Sequence, residues 1–209
     1  MLYAIGDVHG CYKSLVALLK KINPKVSDEV YFVGDAVNKG VDSAKVMKLI
    51  REQGYQLVLG NHEKMVLEGF KDGKLTKEFV HSYRGKEVQL LDDIAFMRAA
   101  PTYVLGKKDE QGRKLIITHG YGHSLFGKYR LGSKEFNEKI IKERIPPDLT
   151  PQKVAKLDSF YFNIFGHIPL SKPLISPCMV GIDTGCYAGN YLCAFSFPEK
   201  KIFLQRSLG

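Results

Sequence analysis

The chain has 209 residues, with 31 Lys and Arg against 22 Asp and Glu, giving a formal net charge of +9. Hydrophobic residues make up 44% and charged residues 25%, an ordinary globular composition that excludes disordered, collagen-like and coiled-coil classes. No stretch approaches the roughly 18–20 uninterrupted apolar residues of a membrane span, and Asp7 interrupts the N-terminus too early for a signal peptide.

Leu2–Ile5 reads as a short buried strand that ends in Gly6-Asp7. Leu15, Leu18, Leu19 and Ile22 then repeat at helical spacing, and Pro24 closes that helix. Residues 30–33 predict a second strand, again ending in Gly-Asp (Gly34-Asp35). The next helix is expected to be capped by Asp42 or Ser43, with Val46, Leu49 and Ile50 on its apolar face. A third strand, residues 56–59, runs into Gly60-Asn61-His62-Glu63. This alternation implies parallel strands joined by right-handed crossovers.

Beyond it, residues 62–100 read as mostly helical up to Pro101. Residues 103–105 and 115–118 predict a hairpin across the polar turn 106–114. Residues 120–160 form a polar insertion, placed to line a pocket, with a helix over 133–144 stopped by Pro146-Pro147. Residues 162–165, 179–182, 191–197 and 202–205 predict strands, the last two a hairpin across Pro198-Glu199-Lys200. We expect one domain over residues 1–209, with Cys11, Cys178, Cys186 and Cys193 as reduced thiols in a cytoplasmic setting.

The chemistry collects in the turns after strands. His9, His62, His119 and His167 each sit in a glycine-bearing turn directly after an apolar run, and Asp35 holds the same place after the second strand. Strand-end loops of an α/β sheet open on one edge, where ligand sites lie. A single His or Asp there is ordinarily a cap or a solvated turn residue. Several Asp, Asn and His delivered to one edge, with glycines that let the backbone turn sharply, point to a polynuclear metal site.

In order and spacing, Gly6-Asp7-Val8-His9-Gly10, Gly34-Asp35 through Gly40, Gly60-Asn61-His62-Glu63, His119, Gly166-His167 and Gly181-Ile182-Asp183-Thr184-Gly185 resemble the calcineurin-like metallophosphoesterases. GNHE rather than GNHD resembles their phosphoprotein phosphatase branch. The small size and the IDTG ending resemble bacterial and phage-type enzymes, among them serine/threonine phosphatases and symmetrical diadenosine tetraphosphatases. The resemblance covers Leu2 to about Phe197. It implies an α/β sandwich of two mixed β-sheets flanked by helices, with a dinuclear metal site at strand ends.

By that resemblance, Asp7, His9 and Asp35 bind one metal, Asn61, His119 and His167 the other, and Asp35 bridges the two. Two divalent ions are implied, Mn²⁺ first, with Fe or Zn²⁺ also suited to carboxylate, amide oxygen and imidazole. Such a pair, about 3.5–4 Å apart, would acidify a shared water for attack on phosphorus. His62 would protonate the leaving oxygen.

The chain departs from the family at its second motif, usually GD-x-V-D-R-G, which here runs Gly34-Asp35-Ala36-Val37-Asn38-Lys39-Gly40. Asn38 stands where an Asp orients and charges the catalytic His. It can hydrogen-bond His62 but adds no charge. Lys39 replaces a phosphate-gripping Arg as a point charge, and Leu59, in place of an Arg before GNHE, can hold no phosphate. An active but slower or differently selective enzyme is expected. Arg84 and Arg130 are candidates for the missing guanidiniums, and Asp183 for support of the ligands from behind. His123 is a candidate for lining the pocket, whereas His81 carries no motif. Cys11 and Cys186 adjoin the motifs but read as small buried thiols.

The first functional reading is a metal-dependent phosphatase acting on phosphate monoesters, in phosphoproteins or small phosphoesters. The alternatives are a symmetrical dinucleoside tetraphosphate hydrolase, a weakly active phosphate-binding relative, and a nucleic-acid phosphodiesterase. Against the first alternative, such tetraphosphatases are typically longer, and this chain is short of arginine at the site. Neither nucleic acid nor membrane is expected as a partner. The lysine-rich surplus reads as surface and general anion steering.

Overall fold

The computed structural model describes residues 1–76, 83, 87–154, 157 and 160–208. Its first half alternates β1 (Leu2–Ile5), α1 (Tyr12–Ile22), β2 (Glu29–Phe32), α2 (Ser43–Glu52), β3 (Gln56–Leu57) and α3 (Asn61–Gly69). A small hairpin follows, β4 (Phe70–Lys71) with β5 (Lys74–Leu75), and then α4 (Glu87–Ala99). The second half holds β6 (Tyr103–Lys108), β7 (Lys114–Thr118), α5 (Lys134–Ile140) and α6 (Pro151–Val154). It ends with β8 (Tyr161–Phe165), β9 (Leu174–Ile175), β10 (Met179–Gly181), β11 (Tyr191–Phe197) and β12 (Ile202–Arg206).

Two five-stranded mixed sheets result, ordered β12-β11-β1-β2-β3 and β6-β7-β8-β10-β9. In the first, β1, β2 and β3 run parallel; in the second, β7, β8 and β10 do. β6 and β9, at the edges of the second sheet, and β11 and β12 of the first pair antiparallel. Period-two alternation sorts each strand of the first sheet between two cores. Leu2, Ala4 and Val33 face Leu115, Ile117, Phe162, Ile164 and Val180 in the layer between the sheets. Ile5, Val30 and Phe32 face the other way, onto Leu15, Leu18, Val46, Met47 and Ile50 of α1 and α2. A one-residue slip of either sheet would exchange these faces, so the register is strongly held.

Three expectations need correction. The stretch 62–100 is not one helical run: α3 stops at Gly69, and Asp72-Gly73 reverses the chain with both residues left-handed (φ 49° and 76°). Asp-Gly is the favoured two-residue hairpin turn, a signal the helical reading passed over. The helix expected over 133–144 ends at Ile140. There the loop after β7 captures its carbonyls, Gly120 N–H donating to Ile140 O and Tyr121 N–H to Glu143 O. Ser133 does cap it, accepting from Phe136 N–H. Asp42 stands at the start of α2 without a side-chain cap bond, its carboxylate pairing with Lys45, and Ser43 Oγ accepts from Asn38 N–H. The four cysteines are free and buried. Among the described residues no helix is long and apolar enough to cross a membrane.

Candidate metal centre

All six parallel strands end at one edge, and each delivers a polar side chain there within a few residues of its last. Asp7 and His9 follow β1, Asp35 follows β2, and Asn61 follows β3 as the first residue of α3. From the facing sheet, His119 follows β7, His167 follows β8 and Asp183 follows β10. The turns are tight enough to put His9, Asp35 and His167 in the left-handed region, at φ 47°, 52° and 67°. That conformation costs an ordinary residue about 1–2 kcal/mol, and such strain gathers at working sites. Two glycines allow the approach. A Cβ on Gly166 would lie 2.1 Å from Asp7 Oδ1, and one on Gly60 would lie 2.4 Å from Asp35 Oδ1.

Asp35 is the hub. His9, Asp35 and His62 bring one ligand atom each within 4.8 Å of one another, and so do Asp35, His119 and His167. The Nε2 atoms of His9, His62 and His119 stand 3.5, 3.8 and 3.3 Å from the Asp35 carboxylate. Asp7 belongs to neither triad, although both of its oxygens accept from His167 N–H at 3.2 Å. His119 Nε2 also lies 3.0 Å from Asn61 Oδ1.

The far ring nitrogen decides what each imidazole can do. His9 Nδ1 donates to Val37 O at 3.1 Å and His119 Nδ1 to Val33 O at 2.9 Å. A carbonyl can only accept, so Nδ1 carries a proton in both rings and Nε2 is the nitrogen that each turns into the site, where a metal ligand must offer its lone pair. His62 is the reverse. Its Nδ1 faces Asn38 Nδ2 at 3.0 Å, an amide N–H that can only donate, so the ring proton sits on Nε2. The amide is held in that orientation because Asn38 Oδ1 accepts from Lys39 N–H at 2.7 Å. In that tautomer His62 Nε2 offers an N–H in place of a ligating lone pair, although its position completes the His9–Asp35–His62 triad.

The electrostatics call for cations. Asp7, Asp35 and Asp183 are all buried. Burial, and then the Asp183 charge, push the Asp7 pKa well up, and burial raises Asp183 as well. Burial also works against ionised Asp35, yet His119 and then His9 and His62 outweigh it and hold its carboxyl well below the usual range. Burial opposes a charge on His119, but Asp35 overcomes it and lifts the ring to about 10. Burial takes His9 down to about 3, and burial with the His119 charge takes His167 to about 4. Two cations of the chain itself already stand among these oxygens and nitrogens: the His119 imidazolium beside Asp35, and Lys39 Nζ, 2.9 Å from His9 Nε2. Divalent ions fit where they stand.

The remaining expected residues fall as follows. Lys39 points at His9, with its ammonium 3.8 Å from the Tyr187 ring centroid. Arg130 is exposed on the turn leading into α5, where its carbonyl accepts Ser133 N–H. Arg84 and His81 lie outside the described residues. His123 is buried in an aromatic cluster with Tyr121 and Phe126, its Nε2 3.2 Å from Cys178 O, a packing role instead of a pocket one. Asp183 Oδ1 accepts Gly185 N–H and supports the loop. Cys11 and Cys186 lie buried in one core.

Three residues emerge only from the structure. Glu63 is fully buried and accepts four backbone N–H groups, from Asp35, Ala36, Val37 and Gly60, thereby tying the second and third strand-end loops together. Asn163 does the same in the other sheet, donating to Thr118 Oγ1 at 2.8 Å and accepting from Gly122 N–H at 2.8 Å. Arg144, exposed, is close enough for its charge to lower the His167 pKa. The E of GNHE could have announced Glu63; nothing local announces Asn163 or Arg144.

The Calcineurin-like phosphoesterase family model matches residues 2–191. Among curated proteins, the chain is 27% identical to Bis(5′-nucleosyl)-tetraphosphatase PrpE (asymmetrical) of Oceanobacillus iheyensis, over 94% of this chain and 88% of that protein. It is also 27% identical to Bis(5′-nucleosyl)-tetraphosphatase, symmetrical, of Hamiltonella defensa, over 97% of this chain and 96% of the other. The alignments run over 238 and 265 positions against the 209 residues here, in line with the expected greater length of these relatives. A crystal structure described as a diadenosine tetraphosphatase candidate superposes with a TM-score of 0.71 at 23% identity, over 100% of this chain and 94% of the other. A Saccharomyces cerevisiae serine/threonine phosphatase structure superposes at 0.64 with 14% identity, over 100% and 80%. At these identities the two structures share the fold.

Proposed function

The chain belongs to the calcineurin-like phosphoesterases, hydrolases that work with divalent metals, and from that premise we propose that it cleaves the phosphoanhydride chain of a dinucleoside polyphosphate such as diadenosine tetraphosphate. The observation that carries this reading is the contact from Asn38 Nδ2 to His62 Nδ1. With its proton on Nε2 and no carboxylate behind it, His62 can donate a hydrogen bond to a leaving oxygen but is a poor source of a full proton. A serine alkoxide leaving group, nearly as basic as hydroxide, needs that proton. A phosphate leaving group does not, since its last ionisation lies at about 6. The departure at position 38 therefore costs an anhydride hydrolase little and an alkyl phosphatase much.

The curated relatives carry tetraphosphatase names over nearly their whole length, which supports the same reading. The phosphomonoester reading, first on sequence grounds, has the lesser support, since the serine/threonine phosphatase structure shares the fold alone. A shallow open depression lined by Leu59, Lys64, Thr102, Lys134, Asn137, Glu138 and Ile141 takes in the residues on either side of Gly60 to Glu63.

Asp7, His9 and Asp35 would hold one ion and Asn61, His119 and His167 the other. When bound, the two ions supply Lewis acidity and an acidified water as nucleophile. Asp35 bridges the two ligand sets, Val37 O and Val33 O keep His9 and His119 in the ligating tautomer, and Glu63 and Asn163 hold the loops. The net reaction adds water across one P–O–P bridge and releases two nucleotides. Two ADP would mark symmetrical cleavage, ATP with AMP asymmetrical cleavage. The test supplies Mn²⁺-reconstituted protein with diadenosine tetraphosphate and, separately, a phosphoserine peptide, with products resolved by anion-exchange chromatography. We expect kcat/KM for the dinucleotide to exceed that for the peptide by about 100-fold. Equal or faster turnover of the peptide would overturn the reading.

A further inference from the structure

We propose that Lys39 is a tethered competitor for the metal ion on the His9 side, so that its ammonium weakens the binding of that ion. The Lys39 ammonium donates to His9 Nε2 at 2.9 Å, the one nitrogen of that ring whose lone pair is free of Val37 O. The side chain is guided there. Lys39 takes left-handed φ 62°, Asn38 before it φ 69°, and Gly40 N–H donates to His9 O at 2.9 Å. This locks the 38–40 turn against the His9 loop. A Cβ on Gly40 would lie 2.4 Å from His9 O, so the two backbones are already in contact. Tyr187 closes the other side, its ring 4.9 Å from the His9 ring and 3.8 Å from Lys39 Nζ. A cation on an aromatic face is held by the negative face of the ring.

A divalent ion at His9 must break this hydrogen bond and lift an ammonium off Tyr187. Because Lys39 is part of the chain, it competes at the high effective concentration of a tethered group. An arginine at position 39 would present a broad planar fork; lysine presents a compact point charge that can take a metal's place. The inference rests on the metal-ligand geometry and is independent of which phosphoanhydride is cleaved.

Calorimetric titration of MnCl₂ into EDTA-stripped, dialysed protein tests it with no substrate present. Lys39→Met should tighten one class of site by about fivefold or more and leave the other unchanged. Lys39→Gln is the second neutral variant should the first not fold, with circular dichroism as the check. His9→Ala should abolish the class that Lys39→Met changes. Neutral variants that leave both Kd values within about twofold of wild type would overturn the proposal, and so would a lysine-sensitive class that survives His9→Ala.

Discussion

Asn38 donates its amide N–H to His62 Nδ1 across 3.0 Å, while its oxygen is held by Lys39 N–H. A carboxylate at position 38 would accept from Nδ1 and favour the charged ring. Asn38→Asp should therefore raise kcat on a phosphoserine peptide by about tenfold, and on diadenosine tetraphosphate by roughly threefold at most. Steady-state kinetics on both substrates checks this. Equal gains on both would detach position 38 from the leaving group.

Asp35 faces three imidazole Nε2 atoms at 3.3–3.8 Å. Asp35→Asn removes the negative charge common to both ligand sets. Activity should fall by about 10³-fold or more, and both metal-binding classes should weaken together in calorimetry. Weakening of one class alone would contradict a shared position.

The metal-free protein should be most stable near pH 6.5. Folded His9 and His167 titrate at about 3 and about 4, below the 6.5 of an unperturbed ring. On acidification the unfolded chain takes up those protons first, so stability present above pH 6.5 is lost as the pH falls toward 4 and 3. His119 works the other way. Its folded value of about 10 lies above 6.5, so its contribution is complete below pH 6.5 and is lost as the pH rises through 10. Thermal midpoints measured in EDTA across this range check both limbs. A midpoint that climbs steadily above pH 6.5 would count against the charged His119.

Asn163→Leu should cost about 2–4 kcal/mol, because Gly122 N–H and Thr118 Oγ1 lose a buried partner. Glu63→Gln should cost about 3 kcal/mol or more, since an amide NH₂ cannot accept the backbone N–H groups that one carboxylate oxygen now takes. Urea unfolding measures both. Values below about 1 kcal/mol would mean that these loops hold without their clasps.

Arg144, whose charge reaches His167, is the described arginine placed to meet an anionic substrate. Arg144→Ala should raise KM for diadenosine tetraphosphate by about fivefold with kcat nearly unchanged, the pattern of lost uniform binding. Arg130→Ala, on an exposed turn, should leave both constants within about twofold.

The motif spacing carried the site because strand ends are local. Gly6-Asp7-x-His9, Gly34-Asp35, Gly60-Asn61-His62-Glu63, His119 and Gly166-His167 each follow an apolar run directly. A buried strand followed by glycine admits few other conformations, so these residues, the parallel strands of the first sheet and the α/β class were legible in the amino acids alone. Tertiary structure decided what depends on partners distant in the chain. His62 differs from His9 and His119 only in what meets its Nδ1, an amide 24 residues away in place of a carbonyl. The Asp72-Gly73 hairpin and the early end of α5 reflect local turn chemistry and long-range carbonyl capture outweighing helical patterning. Lys39 reads in sequence as a phosphate grip. Its direction toward His9 and Tyr187 exists only once the 38–40 turn packs against the first strand-end loop. Hydrogen-bond donors and acceptors are fixed by residue type, but which of them meet is fixed by packing.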